Sequence, residues 1–325
     1  MKNVFSIFLL TLLTTIIVLF MVPKKSLAQE IRKPMKITEE EQSDFQIRYG
    51  TAFSTRYMWR GLNLSKAPVF EPYASFLFHG LELSLYGVYG LSESEAKHPD
   101  FEKPPVPGVT YPPNLDKIAF SQVISNLFYN FGTEIGTFTL GATGYYFSDM
   151  LIKRANTNNL GDTTSITYIK PLWNNWEDNR NGSHTLEANF RFSGNEDFPL
   201  WVVVAYNFYN DPDKSIFAEV GYTFRVLKNN FSLFAGGVLD ASEWYQFTVK
   251  NGVVRDGTGL TNFGFILNRE LKLERWLTLD LALLDVMNFY EERNTILFKA
   301  TFSSNTNSSG LAPVPVNAPL FSSHC

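Results

Sequence analysis

The stretch FQIRYGTAFSTRYMWR, residues 45–60, is the part of the chain that decides the fold. Its odd positions, from Phe45 to Trp59, are mostly aromatic or apolar, and its even positions, from Gln46 to Arg60, are mostly small, polar or cationic. A period of two places side chains on opposite faces of a β-strand. Soluble strands average about 5–6 residues, whereas a membrane-crossing strand needs roughly 9–11. The stretch therefore predicts either the first strand of a membrane barrel or a long strand of a soluble sheet.

The composition agrees with a barrel and excludes several other classes. The 325 residues carry a net charge of −4, which gives no reason to expect a nucleic-acid partner. Aromatic residues make up 15% of the chain, as strands and membrane-interface girdles require. The mean hydropathy of −0.09 is too polar for a helical membrane bundle. Because Cys325 is the only cysteine, no intrachain disulfide or cysteine metal cluster can form.

The ends of the chain differ in composition from its centre. Residues 1–28 read as a signal peptide, with Lys2, an apolar run over 4–22, and small residues at Ser26 and Ala28. That run is longer than the usual stretch of about 7–15 residues, so an uncleaved anchor is the alternative. Residues 29–44 are charged and predict a periplasmic leader, 45–302 the barrel, and 303–325 a disordered tail rich in Ser, Asn and Pro.

Twelve segments alternate in the manner of the opening stretch. The weakest is the fourth, because Ile124 and Phe128 lie on the face that should be polar. The predicted strands cover residues 45–60, 69–78, 81–90, 121–131, 137–147, 185–192, 199–209, 215–226, 231–239, 259–267, 277–283 and 295–302.

The connections between these segments favour the membrane interpretation. The three longest, residues 91–117, 148–184 and 240–258, all fall on one side when the strands run up and down. Bacterial barrels have short turns on one side of the membrane and longer loops on the other, and a soluble sandwich has no reason to sort its loops. The sequence predicts an all-β fold, a transmembrane antiparallel up-and-down β-barrel of about 12 strands in the bacterial outer membrane.

Aromatic residues near the predicted strand ends would form the girdles of such a barrel. Tyr57 and Trp59 would lie at the outer end of the first strand, and Trp201 and Trp276 near inner ends.

Charged residues at inward positions are the candidate functional residues. They would line the lumen and set the ion preference of a water-filled pore, or they would pair across the lumen and close it. Asp280 and Lys299, on neighbouring predicted strands, are one potential pair. The predicted lumen-lining residues are Arg48, Arg56, Glu82, Glu187, Arg191, Glu219, Arg225, Asp280 and Lys299.

The sequence predicts no enzyme, cofactor or metal site. Ser183 and His184 are adjacent strand residues, which point to opposite faces, so we expect a solvated histidine at the rim. Asp211 and Asp213 could bind Ca²⁺, but a plain polar turn is favoured. Two loops could fold into the mouth or bind a partner: the proline-rich stretch at 104–113, and 151–184 with its tryptophans.

The segment YMWRGLNLS, residues 57–65, followed by Pro68, resembles the opening of the TorF-like family of porins. Residues 137–149 and 185–193 also look like strands of that family, and the resemblance extends over 45–302. It implies an outer-membrane location and a barrel fold more than a substrate. The expected partners of such a barrel are outer-membrane lipid and small polar solutes or ions. The expected function is passive diffusion of such solutes; the alternative is a closed barrel that displays its long loops for binding or adhesion.

Overall fold

All regular structure in the described part of the chain is β-strand. The computed structural model describes residues 45–92, 109–110, 119–148, 152–157, 163–169, 172–178, 182–248, 254–290 and 292–305. Within those ranges, no helix is long and apolar enough to cross a membrane.

Twelve antiparallel strands close into a barrel in which strands adjacent along the chain are adjacent in space, and β1 pairs with β17 to complete the ring. The predicted transmembrane up-and-down barrel of twelve strands is confirmed. The barrel strands are β1 (Phe45–Ser54), β4 (Val69–Phe78), β5 (Leu81–Gly90), β7 (Ser121–Thr133), β8 (Gly136–Phe147), β11 (His184–Gly194), β12 (Leu200–Tyr209), β13 (Ile216–Val226), β14 (Asn229–Thr248), β15 (Val254–Lys272), β16 (Leu277–Asn288) and β17 (Arg293–Asn305).

Five short strands lie outside this ring. Strands β2 (Tyr57–Trp59) and β3 (Leu62–Ser65) form a hairpin between β1 and β4. Strands β6 (Val109–Thr110), β9 (Ile152–Thr157) and β10 (Thr163–Ile169) form a separate sheet. Because β6 pairs with β10, the two longest connections of the barrel are joined to each other by backbone hydrogen bonds.

The outward face of the wall is apolar. Alternate residues of the barrel strands expose large apolar side chains, whereas their neighbours point inward. In β13, Val220 and Tyr222 are exposed while Gly221 between them is buried. This is the alternation that lipid on one side of the wall selects. The exposed set includes Phe53, Phe76, Leu83, Leu127, Val220 and Phe298.

The two ends of the barrel differ in their connections. At the short-turn end the connections are tight, as in the turn of His79 and Gly80, which have φ values of 48° and 84°. The two longest connections leave and re-enter the barrel at the opposite, long-loop end, at Gly90 and Ser121 and at Phe147 and His184. The predicted connection 240–258 is mostly strand, because β14 runs on to Thr248 and β15 begins at Val254.

The first predicted strand is too long. Strand β1 ends at Ser54, whose hydroxyl donates to the Arg56 carbonyl at 2.7 Å and marks the turn. Tyr57 and Trp59 are then buried inside the barrel, so their assignment to an aromatic girdle was wrong. Trp201 is likewise buried and inward, whereas Trp276 is exposed at the short-turn end. The alternating pattern continued past Ser54 because the inner hairpin is itself built from β-strand.

The last strand is longer than predicted. Ser303 and Ser304 of the predicted tail belong to β17 and pair with Gly50 and Tyr49. The predicted signal peptide, the leader and the rest of the tail lie outside the described residues.

Inward glycines let aromatic rings lie flat against the wall. A Cβ on Gly50 would lie 2.8 Å from Cε1 of Tyr73 on the neighbouring strand. A Cβ on Gly141 would likewise lie 2.5 Å from Cδ1 of Phe128. These rings therefore occupy the place of a missing side chain rather than the centre of the lumen.

We predict that Gly50→Ala destabilises the barrel and that Gly132→Ala does not. The new methyl group at Gly50 would meet the Phe302 carbonyl oxygen at 2.1 Å as well as the Tyr73 ring, and such overpacking costs about 1–3 kcal/mol. Gly132, also on a barrel strand, has no atom within 4 Å of the same position. Urea unfolding in lipid vesicles measures both; equal midpoints for the two variants would contradict the packing described.

Candidate channel lumen

The interior of the barrel has two zones. In the half toward the long loops, which we name the sealed half, inward side chains such as Ile124, Phe217 and Leu284 are fully buried. In the half toward the short turns, which we name the vestibule, inward polar side chains such as Glu82 and Asp280 are only half-buried. Side chains in the lumen are therefore packed more completely toward the long loops than toward the short turns, although Trp201 and Phe128 are buried there as well.

The sealed half is filled by the hairpin of β2 and β3, which we name the inner hairpin (residues 57–65). Tyr57 and Trp59 pack against one part of the wall, in a cluster that includes Tyr145. Met58, which lies between them in sequence, packs in a different cluster with Trp201 and other wall residues. Since its side chains reach two separate parts of the wall, the inner hairpin spans the lumen.

Arg60 at the tip of the inner hairpin forms a buried ion pair with Glu187 of β11. Its Nη1 lies 2.6 Å from Oε2 of Glu187, and its Nη2 donates to Oε1 at 2.8 Å. The two side chains are only 2% and 1% exposed. Nη1 also donates to the Tyr245 hydroxyl at 2.5 Å, and the Tyr145 hydroxyl donates to Glu187 at 3.2 Å. Buried charges need this degree of pairing to be tolerated.

Aromatic rings complete the surroundings of the guanidinium. Cζ of Arg60 lies 4.6 Å from the centroid of Trp59 and 4.8 Å from that of Phe217. The Trp59 ring stacks on Tyr245 at 5.3 Å. Cation–π contacts strengthen when they are shielded from water, so these rings and Glu187 hold the hairpin tip together.

Two further hydrogen bonds attach the inner hairpin to the wall. Asn288 Nδ2 donates to the Gly61 carbonyl at 2.7 Å, and the Tyr57 hydroxyl donates to Gln122 at 3.1 Å. Gly61 has a φ of 84°, and a Cβ there would lie 2.9 Å from Cβ of Asn262. A glycine is therefore required both by the turn and by the close approach to the wall.

A second buried ion pair joins Lys299 to Glu71, with Nζ 2.6 Å from Oε2. The two residues lie on β17 and β4, and their side chains meet across β1, where the inward residues opposite them are the small Ser54 and Ala52. The suggested pairing of Lys299 with Asp280 was wrong, because the register places Asp280 opposite Thr301 and Glu270 instead.

The predicted lumen-lining residues are divided between the zones. Arg56 lies beyond the end of β1, so its assignment to that strand was wrong. Arg225 is exposed near the short-turn end of β13. The sealed half contains Glu187, Glu219 and Lys299. The vestibule contains the half-buried Arg48, Glu82, Arg191 and Asp280.

Sequence reasoning missed the inner hairpin and two wall residues, Glu71 and Tyr245. The Arg60-Gly61 pair between two short alternating runs was a hairpin signal. Glu71 was the acidic residue at an inward position of the second strand. Tyr245 could not be found, because it lies within the stretch interpreted as a loop.

Ser183 and His184 do not form a nucleophile and its base. The Ser183 hydroxyl donates to the Leu172 carbonyl at 2.7 Å, and His184 Nε2 lies 2.5 Å from the Trp173 carbonyl. His184 stacks on Trp176 with centroids 3.8 Å apart and is 4% exposed, so the predicted solvated histidine was wrong. Its burial reflects the segment 172–178, which folds over the outer end of β11.

Asp211 has the surroundings of a structural turn residue. Its carboxylate accepts from the backbone N–H groups of Asp213 and Ser215, at 3.1 Å and 3.0 Å, and from the Asn207 side chain at 3.0 Å. These bonds use the lone pairs that a cation would need. In the described ranges there is no group of three or more potential metal ligands.

Comparison with known proteins shows similarity at the level of structure. No protein-family model and no curated protein matches the chain. A KdgM porin has a TM-score of 0.40 and 9% identity, covering 80% of this chain and 98% of its own. The COG4313 outer membrane channel of Pseudomonas putida F1 has a TM-score of 0.38 and 12% identity, with 80% and 94% covered. OprB of Pseudomonas putida has a TM-score of 0.34 and 8% identity, with 81% and 94% covered.

The resemblance to the TorF-like family rests on residues 57–65, 137–149 and 185–193. The most distinctive of them, residues 57–65, form the inner hairpin. The motif that carries the resemblance is therefore the element that fills the lumen.

We predict strong coupling between Arg60 and Glu187 in a double-mutant cycle. Arg60→Met or Glu187→Gln alone leaves a buried charge without its partner and should cost about 3–5 kcal/mol of unfolding free energy. The double variant should lose much less than the sum of the two, because it removes both charges. Urea unfolding in lipid vesicles gives the four values; additive losses would contradict the pairing.

Proposed function

We propose that the chain is an outer-membrane porin for small polar solutes or ions that the inner hairpin closes in the conformation described. The observation that carries the proposal is the asymmetry of the lumen: the half-buried, charged side chains of the vestibule lie on one side of a hairpin that spans the fully buried sealed half. A barrel with a purely structural role would have no need of half-buried charges along its interior.

The wall is complete without the inner hairpin, which makes the hairpin a separable part. Strand β1 pairs with β4 along its whole length, from Phe45 with Phe78 to Ser54 with Val69. The inner hairpin, residues 57–65, therefore connects two strands that are already paired. Its departure from the lumen would leave in place the neighbouring backbone bonds from Thr55 to the Phe298 carbonyl, at 3.0 Å, and from Leu91 to the Pro68 carbonyl, at 2.8 Å.

The contacts of the hairpin suit a reversible closure. A buried ion pair contributes little net stability, because the loss of hydration offsets most of the attraction. Arg60 and Glu187 would recover hydration in an open, water-filled lumen, so their separation costs less than the short distance between them suggests. The aromatic packing of Tyr57 and Trp59 then carries much of the preference for the closed state.

A closed receptor barrel is the second candidate, and two observations favour it. The sealed half is fully buried, and the sheet of β6, β9 and β10 joins two long connections at the long-loop end. Such a barrel would bind its partner through those loops and would not conduct.

Trp59→Ala should loosen the inner hairpin, because it removes the ring that stacks on Tyr245 at 5.3 Å and lies 4.6 Å from Cζ of Arg60. Trp276, exposed at the short-turn end, offers a matched position for the same substitution. We predict discrete current steps for the full chain in a planar bilayer, a larger open fraction in Trp59→Ala and an unchanged open fraction in Trp276→Ala.

Trp276→Ala is the matched control, since it removes the same side chain from the exposed surface and leaves the inner hairpin intact. A folded, inserted full-length barrel that never conducts at any voltage would overturn the porin proposal in favour of the receptor barrel. An open fraction that does not rise in Trp59→Ala would show that the packing of the inner hairpin does not close the lumen.

A further inference from the structure

Arg191 of β11 is a lumen cation without a carboxylate in direct contact, although the charges of Glu187 and Glu82 act on it from farther away. Within the described residues, no carboxylate lies within 4.0 Å of its guanidinium, although the buried cations Arg60 and Lys299 each have one. Its Nε is buried and has no hydrogen-bond partner. Partial burial of a cation with no carboxylate in contact is costly, so the position of Arg191 needs an explanation.

The guanidinium is held in a defined orientation. Its Cζ lies 4.4 Å from the centroid of Phe128, and the Phe128 ring is itself packed over Gly141 of the next strand. With one face of the planar group on the ring, its N–H edge is what remains for a partner. Arginine binds carboxylates and phosphates through such an edge, with two parallel hydrogen bonds.

Other residues of the vestibule are suited to contact an anion that binds there. Arg48, half-buried on β1, donates to the Gln46 side chain at 3.2 Å, so it too is held by a neutral group. Tyr73 and Tyr86 stack at 5.5 Å on the wall beside it and present flat, partly polar surfaces. Glu82 accepts from Asn130 at 3.4 Å and acts on Arg191 electrostatically without touching it, so an anion would have to compete with this charge.

We propose that Arg191 binds the oxyanion group of an anionic solute, a carboxylate or a phosphate monoester, in the vestibule. The inference rests on the proposed porin function and names the class of solute that the channel takes. Phe128 orients the guanidinium, and Arg48 adds a second positive charge in the same chamber.

Binding can be measured without any passage of solute, because the proposed site lies among half-buried side chains on the short-turn side of the inner hairpin. We would titrate the full mature barrel in detergent micelles, at low salt, with D-glucuronate, D-glucose 6-phosphate and D-glucose, and follow saturation-transfer NMR. We expect one or both charged sugars to bind and glucose not to bind. The two charged probes separate a carboxylate ligand from a phosphate ligand.

Three variants test the role of the side chain. Arg191→Gln should weaken binding about tenfold or more, as expected for the loss of a charge-assisted contact. Arg191→Lys keeps the charge but loses the two parallel N–H donors, so its affinity should lie between that of the wild type and that of Arg191→Gln. Lys228→Gln removes an exposed cation from a turn at the short-turn end and should change little.

Equal binding of glucose and the charged sugars would overturn the proposal, as would unchanged affinity in Arg191→Gln. If that variant does not fold, Arg191→Lys decides: wild-type affinity there would exclude the bidentate contact. A barrel that binds the anions but never conducts would refute the porin while leaving this site in place.

Discussion

The buried ion pair between Arg60 and Glu187 is the constraint on which the interior depends. A guanidinium can be buried in the packed half of a barrel only if a carboxylate there pairs with it. Glu187 on the wall is that carboxylate. Once Arg60 is in place, Trp59 stacks on Tyr245, and Gly61 lies against Asn262 because no side chain would fit. The sealed half is thus organised around the tip of one loop.

The wall and the interior of the barrel are determined by different interactions. Lipid selects the outward face, and backbone pairing selects the register, so the barrel is complete from β1 to β17 whatever lies inside. Inside, each buried cation has a specific partner: Arg60 has Glu187, and Lys299 has Glu71 across the small residues of β1. Arg191 in the vestibule departs from this rule, which is why it stands out as a place for a solute.

Local patterns predicted the wall well and the interior poorly. All twelve barrel strands followed from alternation and loop sorting, since both are properties of neighbouring residues. The end of β1 could not be predicted from alternation, because residues 57–60 continue a strand-like pattern while the chain turns inward. The turn is explained only by Glu187 and Tyr245, which are distant in sequence. One signal was present: apolar Ile124 and Phe128 at inward positions indicated that something apolar would fill part of the lumen.

The central claim is that the inner hairpin alone closes the lumen, and its removal tests this most directly. Residues 56–66 can be replaced by a short Gly-Ser turn, because Ser54 and Val69 are already paired. We predict that this barrel folds and shows a large, steady conductance in a planar bilayer, where the full chain shows only brief openings. A folded, inserted variant that remains closed would show that the wall residues themselves occlude the lumen, and would contradict the account.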